Sequence, residues 1–300
     1  MNKSVREIET LIETYSLSHS VLCLHMSFSS LSRLIPSPET FIDLFLSYGT
    51  TLIVPAHCYG KRVQYVPRLN IRQNGDDDRP DNIKIPQSYK GDIDPEDISP
   101  QMGIVARRLA KRAESHIGFH PENAFAGIGP EAERIIKTQT PWNVYTPYDI
   151  LMDVKKAKIV LIDVELNKAT PVHYAEMQAG RNPFIRWYKD NNHEVRPMRV
   201  GGCSDGFENC RPYLKDLESL CHAGLSSWRI YPFQAFINRL SNIIRDIPEI
   251  TRCEKPTCPR CRDCIAGGPY FSFPFLNTHL MKTSHSFCKP GKTMGIKSSK

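Results

Sequence analysis

Hydrophobic positions change period along the chain, and each change marks out an element. In residues 1–13 charged and apolar side chains interleave as in an amphipathic opening helix, not a secretory leader. Val21-Leu-Cys-Leu-His25 is a short apolar run that predicts a buried strand, and the hydroxyl-rich Ser27-Phe-Ser-Ser30 predicts a turn after it. Residues 38–47 place apolar side chains at helical spacing. Gly49 ends that segment, and Thr51-Leu-Ile-Val-Pro55 predicts a second strand. Strand, helix and strand within about 35 residues mark an α/β sheet with crossover connections.

Residues 60–100 break the pattern. They are polar, lack a period and carry Asp76, Asp77 and Asp78, which either face solvent or attract a polycationic ligand. Regularity returns with a helix from Gln101, a small-residue strand within 120–129 and a helix opened by Pro130. Lys158-Ile-Val-Leu-Ile-Asp163 predicts another buried strand, with a helix starting at Pro171 and Asn167 and Thr170 as its caps. Residues 199–207 read as turns before a helical run to about Leu220. Trp228-Arg-Ile-Tyr231 predicts a strand, and Pro232 opens a helix through Asp246.

Composition bounds what this pattern can be. Three hundred residues with 40% hydrophobic and 24% charged side chains are ordinary for a globular protein. No apolar run approaches the ~18 residues that cross a bilayer, so no membrane partner is expected. Ten cysteines without a leader, two of them (Cys23 and Cys58) inside apolar runs, point to a reducing compartment, the cytoplasm. The net charge of +7 is concentrated in Arg107, Arg108, Lys111 and Arg112 and in the last 50 residues. No nucleic-acid motif of defined spacing accompanies it, and a solvated helix face is the default for the arginine cluster.

The chemistry with the clearest geometry is His173 and Glu176. Three residues apart on a helix, they share a face just after a strand, where a carboxylate can steer an imidazole as a general base. The same pair would also suit a surface helix.

Five landmarks then fall in one order. They are His25-Met-Ser-Phe-Ser-Ser-Leu31, Gly49-Thr-Thr-Leu-Ile-Val-Pro55, Met102-Gly103, His120-Pro-Glu-Asn-Ala-Phe-Ala-Gly-Ile-Gly129 and Asn167-Lys-Ala-Thr-Pro-Val-His-Tyr-Ala-Glu176. In this the chain resembles the aminoglycoside 3-N-acetyltransferase family, from about residue 8 to about residue 250. The resemblance implies a central mixed β-sheet flanked by helices in an acetyltransferase domain at 1–250. A Cys-rich basic C-terminal extension would follow at 251–300. It implies transfer of acetyl from acetyl-coenzyme A to an amino group of a small amino-sugar acceptor, with His173 as base, Glu176 beside it and Asp205 as third catalytic group. Coenzyme contacts would come from Ser27, Ser29, Ser30, Leu31, Met102, Gly103, His120, Asn123 and Phe125. Two departures matter. Ala124 stands where the family has serine, shifting one coenzyme contact toward Asn123, and Gly202-Cys-Ser-Asp-Gly206 replaces the Glu-Tyr-Asp turn of the antibiotic-modifying members.

Beyond the last landmark, Cys253, Cys258, Cys261 and Cys264 follow C-x4-C-x2-C-x2-C. Four thiolates so close can bind zinc or an iron–sulfur cluster, or remain free thiols. These cysteines and the positive charge also sustain a different reading, a non-catalytic metal-binding module with a basic anion-binding surface.

Overall fold

The computed structural model describes residues 3–63, 71–75 and 93–271. Asp76, Asp77, Asp78 and the tail beyond residue 271 lie outside the described residues.

Strand β1 (Val21–Met26) is apolar at nearly every position because both faces of its sheet are covered. Leu22 and Leu24 point to one side, with Leu52 and Val54 of β2 (Thr51–Pro55). There they meet helices α1 (Lys3–Thr14), α2 (Pro38–Ser47) and α3 (Gly103–Ala110). Val21 and Cys23 point to the other side, the two-residue alternation of a strand.

The sheet has seven strands. With β3 (Ile71–Arg72) set apart, β4 (His116–Ile117), β5 (Phe125–Ile128), β6 (Ala157–Ile162), β9 (Ser219–Ala223) and β10 (Ser226–Pro232) join β1 and β2 in the order β4-β5-β2-β1-β6-β10-β9. The strands β2, β1 and β6 run parallel, and every pairing outward from them is antiparallel. The expected mixed sheet flanked by helices is therefore present. Helices α4 (Ala132–Ile136), α5 (Thr146–Met152), α6 (Pro171–Gln178) and α7 (Phe233–Asp246) follow. Residues of α5, α6 and α7 form the second core with Ile159 and Leu161. Helix α7 shows why: Phe233, Phe236, Ile237, Leu240 and Ile244 share one buried stripe.

The parallel centre positions the site. Met26 lies opposite Ile162, and the Ser27 N–H donates to the Ile162 carbonyl at 2.9 Å. The turns after β1 and β6 therefore leave the sheet at one edge, the carboxyl end where open α/β sheets place their ligands.

Three expectations change. Thr170 takes helical angles and makes no side-chain capping bond, and Asn167 sits in a 3-10 turn (Leu166–Lys168), so neither caps α6. The helical run to Leu220 is a 3-10 segment (Phe207–Leu214) with Pro212 inside it, and Leu220 belongs to edge strand β9. Proline removes a donor that a continuing α-helix needs. The strands β7 (Phe184–Lys189) and β8 (Val195–Val200) form a separate antiparallel hairpin that the hydrophobic pattern did not single out. Phe184 to Tyr188 are buried at odd and even positions alike, which erases the alternation that signals a half-exposed strand.

The cysteine-rich segment packs on the body. Helix α8 (Pro259–Ile265) is tied down where Asp263 Oδ2 accepts from the Gly75 N–H at 2.8 Å, and β11 (Tyr270–Phe271) pairs with β3.

Candidate active site

Helix α6 carries the His173–Glu176 pair. Pro171 begins the helix, and His173 and Glu176 project from the same side, one turn apart. His173 Nδ1 lies 2.9 Å from Glu176 Oε2. A carboxylate acceptor at Nδ1 places the proton there and leaves Nε2 with its lone pair free. Phe207 packs edge-on against the imidazole at 4.8 Å between ring centroids.

Glu176 is nearly fully buried, so its second oxygen needs partners. Arg181 NH1 donates to Oε1 at 2.7 Å and also to Thr251 Oγ1 at 2.7 Å, and Arg181 NH2 donates to the Pro248 carbonyl. The Cys264 thiol donates to the same Oε1 at 3.3 Å. Burial pushes the Glu176 carboxyl up. The hydrogen bond from His173, with the charges of His173 and Arg181, outweighs burial and leaves it below its usual range. Glu176 thus stays an anion and holds the ring.

His173 lines a small recess together with Tyr145, Met177, Phe184, Gly201 and Gly202, and with its partner Glu176 and Arg181. Gly201 is close-packed there. A β-carbon on it would lie 2.9 Å from both His173 Nε2 and Tyr145 Oη, so glycine keeps the space beside Nε2 clear.

Three other histidines are buried. Burial pushes His25 down to about 3. Burial, then the neighbouring His120, His25 and His173, pushes His57 down to about 3. Burial pushes His120 down to about 4, against backbone hydrogen bonds that favour its charged form. His120 is locked into one tautomer. Its Nδ1 accepts from the Glu122 and Asn123 N–H groups at 3.1 and 2.8 Å, and Nε2 donates to the Arg199 carbonyl at 2.8 Å.

The residues expected at the coenzyme separate into two sets. Leu31 and Phe125 are core residues, Ser30 hydrogen-bonds Asp163, and His120 holds backbone. Asp163 also accepts from Ser226 and from the Ser227 N–H, which ties the β1 turn to β10. Ser27, Ser29, Met102 and Gly103 keep exposed surface at the sheet's carboxyl edge. The backbone turns into α3 through Gly103 at φ +83°, close to the Met26 carbonyl at the end of β1. Asn123 Oδ1 and His57 Nε2 are buried polar atoms with no protein partner among the described residues.

Asp205 is exposed, and its carboxylate lies 3.7 Å from Cys203 Sγ. The partner that holds Glu176 from behind is Arg181, which the motif pattern did not reveal. An arginine just after the helix-ending Gly180 was the available signal. Three of the four basic residues on and just after α3 are ion-paired, as expected of a solvated helix face: Arg108 with Glu39, Lys111 with Glu96, and Arg112 with Asp43 and Glu114. Arg107 differs, with a buried Nε that has no partner among the described residues.

The sequence matches the aminoglycoside 3-N-acetyltransferase family over residues 23–217, well over half of the chain, and the matched region contains α6 and the recess wall at Gly201 and Gly202. The chain belongs to the aminoglycoside 3-N-acetyltransferase family. Solved structures share the fold of this acetyltransferase. A histidine-to-alanine variant of AAC(3)-IVa in complex with a gentamicin aligns with a TM-score of 0.68 at 19% identity, covering 88% of this chain and 96% of that one. YokD from Bacillus subtilis aligns at 0.65 and 12% identity, covering 81% and 100%. AAC-IIIb, solved as a binary with CoASH, aligns at 0.60 and 15% identity, covering 82% and 96%. No curated protein matches the sequence. No helix among the described residues is long and apolar enough to cross a membrane.

Proposed function

We propose that this acetyltransferase moves acetyl from acetyl-coenzyme A to an amino group of an amino sugar, with His173 as the general base. The observation that carries this is the Glu176–His173 pair beside a recess walled by Gly201 and Gly202, the pair and both glycines lying inside the family's matched region. AAC-IIIb binds CoASH and the AAC(3)-IVa variant binds a gentamicin, which supports both substrate classes.

Acetyl-coenzyme A supplies an activated thioester carbonyl. The chain's own part is to bring the amine there in its nucleophilic form. Amino-sugar amines are largely protonated near neutral pH and attack only after one proton is lost to solvent; the neutral nitrogen sheds a second proton as it attacks, and a positioned base must take it. His173 Nε2 accepts that proton, while Glu176, itself held in place by Arg181, orients the ring and offsets the charge of the imidazolium. A carbon–nitrogen bond forms, the carbon–sulfur bond breaks, and the proton leaves with the coenzyme thiol. Transfer is direct in a ternary complex, so no cysteine nucleophile is required. The residues at the sheet edge fit a polar ligand: Ser27, Ser29 and Gly103 offer hydroxyl and backbone groups, and Asn123 Oδ1 is a buried acceptor without a protein donor among the described residues.

The test is release of free thiol when the protein meets acetyl-coenzyme A and a panel of amino sugars. His173→Ala should lower turnover by about 10²-fold or more while sparing coenzyme A affinity. Absence of both thiol release and coenzyme A binding would reject the activity, and normal turnover in His173→Ala would reject the base.

A further inference from the structure

A second cluster of reactive side chains includes Cys203, next in sequence to the recess-lining Gly202. Cys203, Cys253, Cys258 and Cys261 bring their sulfurs within 4.8 Å of one another. This replaces one ligand of the tetrad expected from spacing. Cys264 turns away to Glu176 and Arg181, and Cys203, fifty residues earlier than Cys253, takes the fourth place. The reason is helical. Cys258 immediately precedes α8 and Cys261 sits in its first turn, whereas Cys264 lies three residues on, about 4.5 Å further along the axis.

We infer that Cys203, Cys253, Cys258 and Cys261 bind one structural zinc ion that staples the loop carrying Gly201 to the C-terminal segment. Tetrahedral zinc with bonds of about 2.3 Å to sulfur sets its sulfurs roughly 3.8 Å apart. Cys253 and Cys261 already stand 3.5 Å apart, far beyond a disulfide bond, and all four are free thiols. A four-iron cluster needs sulfurs spread around a larger body than this span allows. The cysteines form a small cluster of their own, joined by Ile265, so an ion would supply cohesion that apolar packing there does not. The Cys253 N–H donates to Cys261 Sγ at 3.4 Å, as backbone amides do around thiolate metal ligands. On binding, four thiols release four protons, and zinc with four thiolates carries a net charge of −2.

The loop is held to the same segment by backbone as well. A β-carbon on Gly206 would fall 2.3 Å from the Arg252 carbonyl oxygen, and Asn209 Nδ2 donates to that oxygen at 3.1 Å. Cys203 is two residues from Gly201, whose position sets the space beside His173 Nε2. The ion would therefore fix one wall of the recess without touching substrate.

Metal analysis of untagged protein, purified without chelators after growth with added zinc, should find close to one zinc per chain. Cys203→Ser should lose most of it and Cys264→Ser should keep it. Because a serine variant can misfold, Cys203→His provides a second readout. Cobalt-exchanged wild-type protein should show the ligand-field bands of a tetrahedral four-thiolate site, Cys203→His a blue-shifted three-thiolate spectrum, and Cys264→Ser the wild-type spectrum. Metal-free protein, iron in place of zinc, or zinc lost from Cys264→Ser and kept in Cys203→Ser would each overturn the assignment. These readouts do not depend on acetyl transfer, so they stand or fall separately from the proposed activity. The stapling itself reads out in hydrogen exchange: removing zinc should speed exchange in residues 201–206, and unchanged exchange there would refute it.

Discussion

Glu176 binds His173 with one oxygen and Arg181 with the other, and both halves of that arrangement can be separated by mutation. Glu176→Gln leaves Arg181 buried without its counter-charge, and breaking such a pair by removing one partner costs about 3–5 kcal/mol. The sign of its pH dependence follows from the depressed carboxyl pKa. The stability it contributes is complete above the unfolded carboxyl value and disappears as pH falls through the lower folded value. Thermal melts should therefore show a gap between wild type and Glu176→Gln that is widest near neutrality and narrows below about pH 4. A constant gap would mean the carboxylate's charge is not what Arg181 needs. Gly201→Val tests the other side of the ring. Its side chain would press on His173 and Tyr145, and turnover should fall about 10²-fold with the fold intact by circular dichroism.

At the level of elements, α7 shows what anchors the layer beneath the site. It packs most extensively against α6, so the position of His173 depends on α7's buried stripe. Leu240→Ala removes a fully buried side chain from that stripe and should cost about 2–5 kcal/mol by denaturant melting. A loss below about 0.5 kcal/mol, the scale of surface changes, would show that the stripe is not close-packed. The hairpin of β7 and β8 has a different role. It lies outside the main sheet, yet Phe184 borders the recess and Arg199, near its end, accepts from His120 through its carbonyl. The hairpin therefore couples the wall of the recess to the segment that follows β4.

Over the whole molecule, three histidines are held neutral where an unfolded chain would protonate them. Folded His25, His57 and His120 bind a proton only near pH 3 to 4, whereas the ordinary value is 6.5. The unfolded state therefore takes up more protons below pH 6.5, and stability is full above that value and falls on acidification toward pH 4. Each such group adds a slope of about 1.4 kcal/mol per pH unit between those limits. Calorimetry across that range should show the decline, and His57→Leu should lower the slope by about one proton. An unchanged slope would show that His57 protonates in the folded state.

How much was legible in sequence differs by the distance over which the information acts. Period and punctuation placed β1, α2, β2, β6 and α7 within one or two residues, because a strand covered on both faces reads as a short apolar run and a helix buried on one face repeats its apolar residues every three to four positions. The i, i+3 pairing of His173 and Glu176 was legible for the same reason, since one helical turn is local geometry. Motif order identified the family, but not the tasks of Ser30, Leu31 and Phe125, which the fold uses for a hydrogen bond and for core packing. Arg181 at Glu176 had only its place after Gly180 as a signal, and Gly201 at the imidazole and Cys203 beside Cys261 had none in spacing, because packing decides each contact. The last two join segments far apart in the chain, which meet only in the folded protein. Spacing made Cys264 look equivalent to the other cysteines, and one turn of helix made it a partner of Glu176 instead. A side chain's conformation is set by its neighbours in the chain, but its partner is set by whichever segment packing brings within reach.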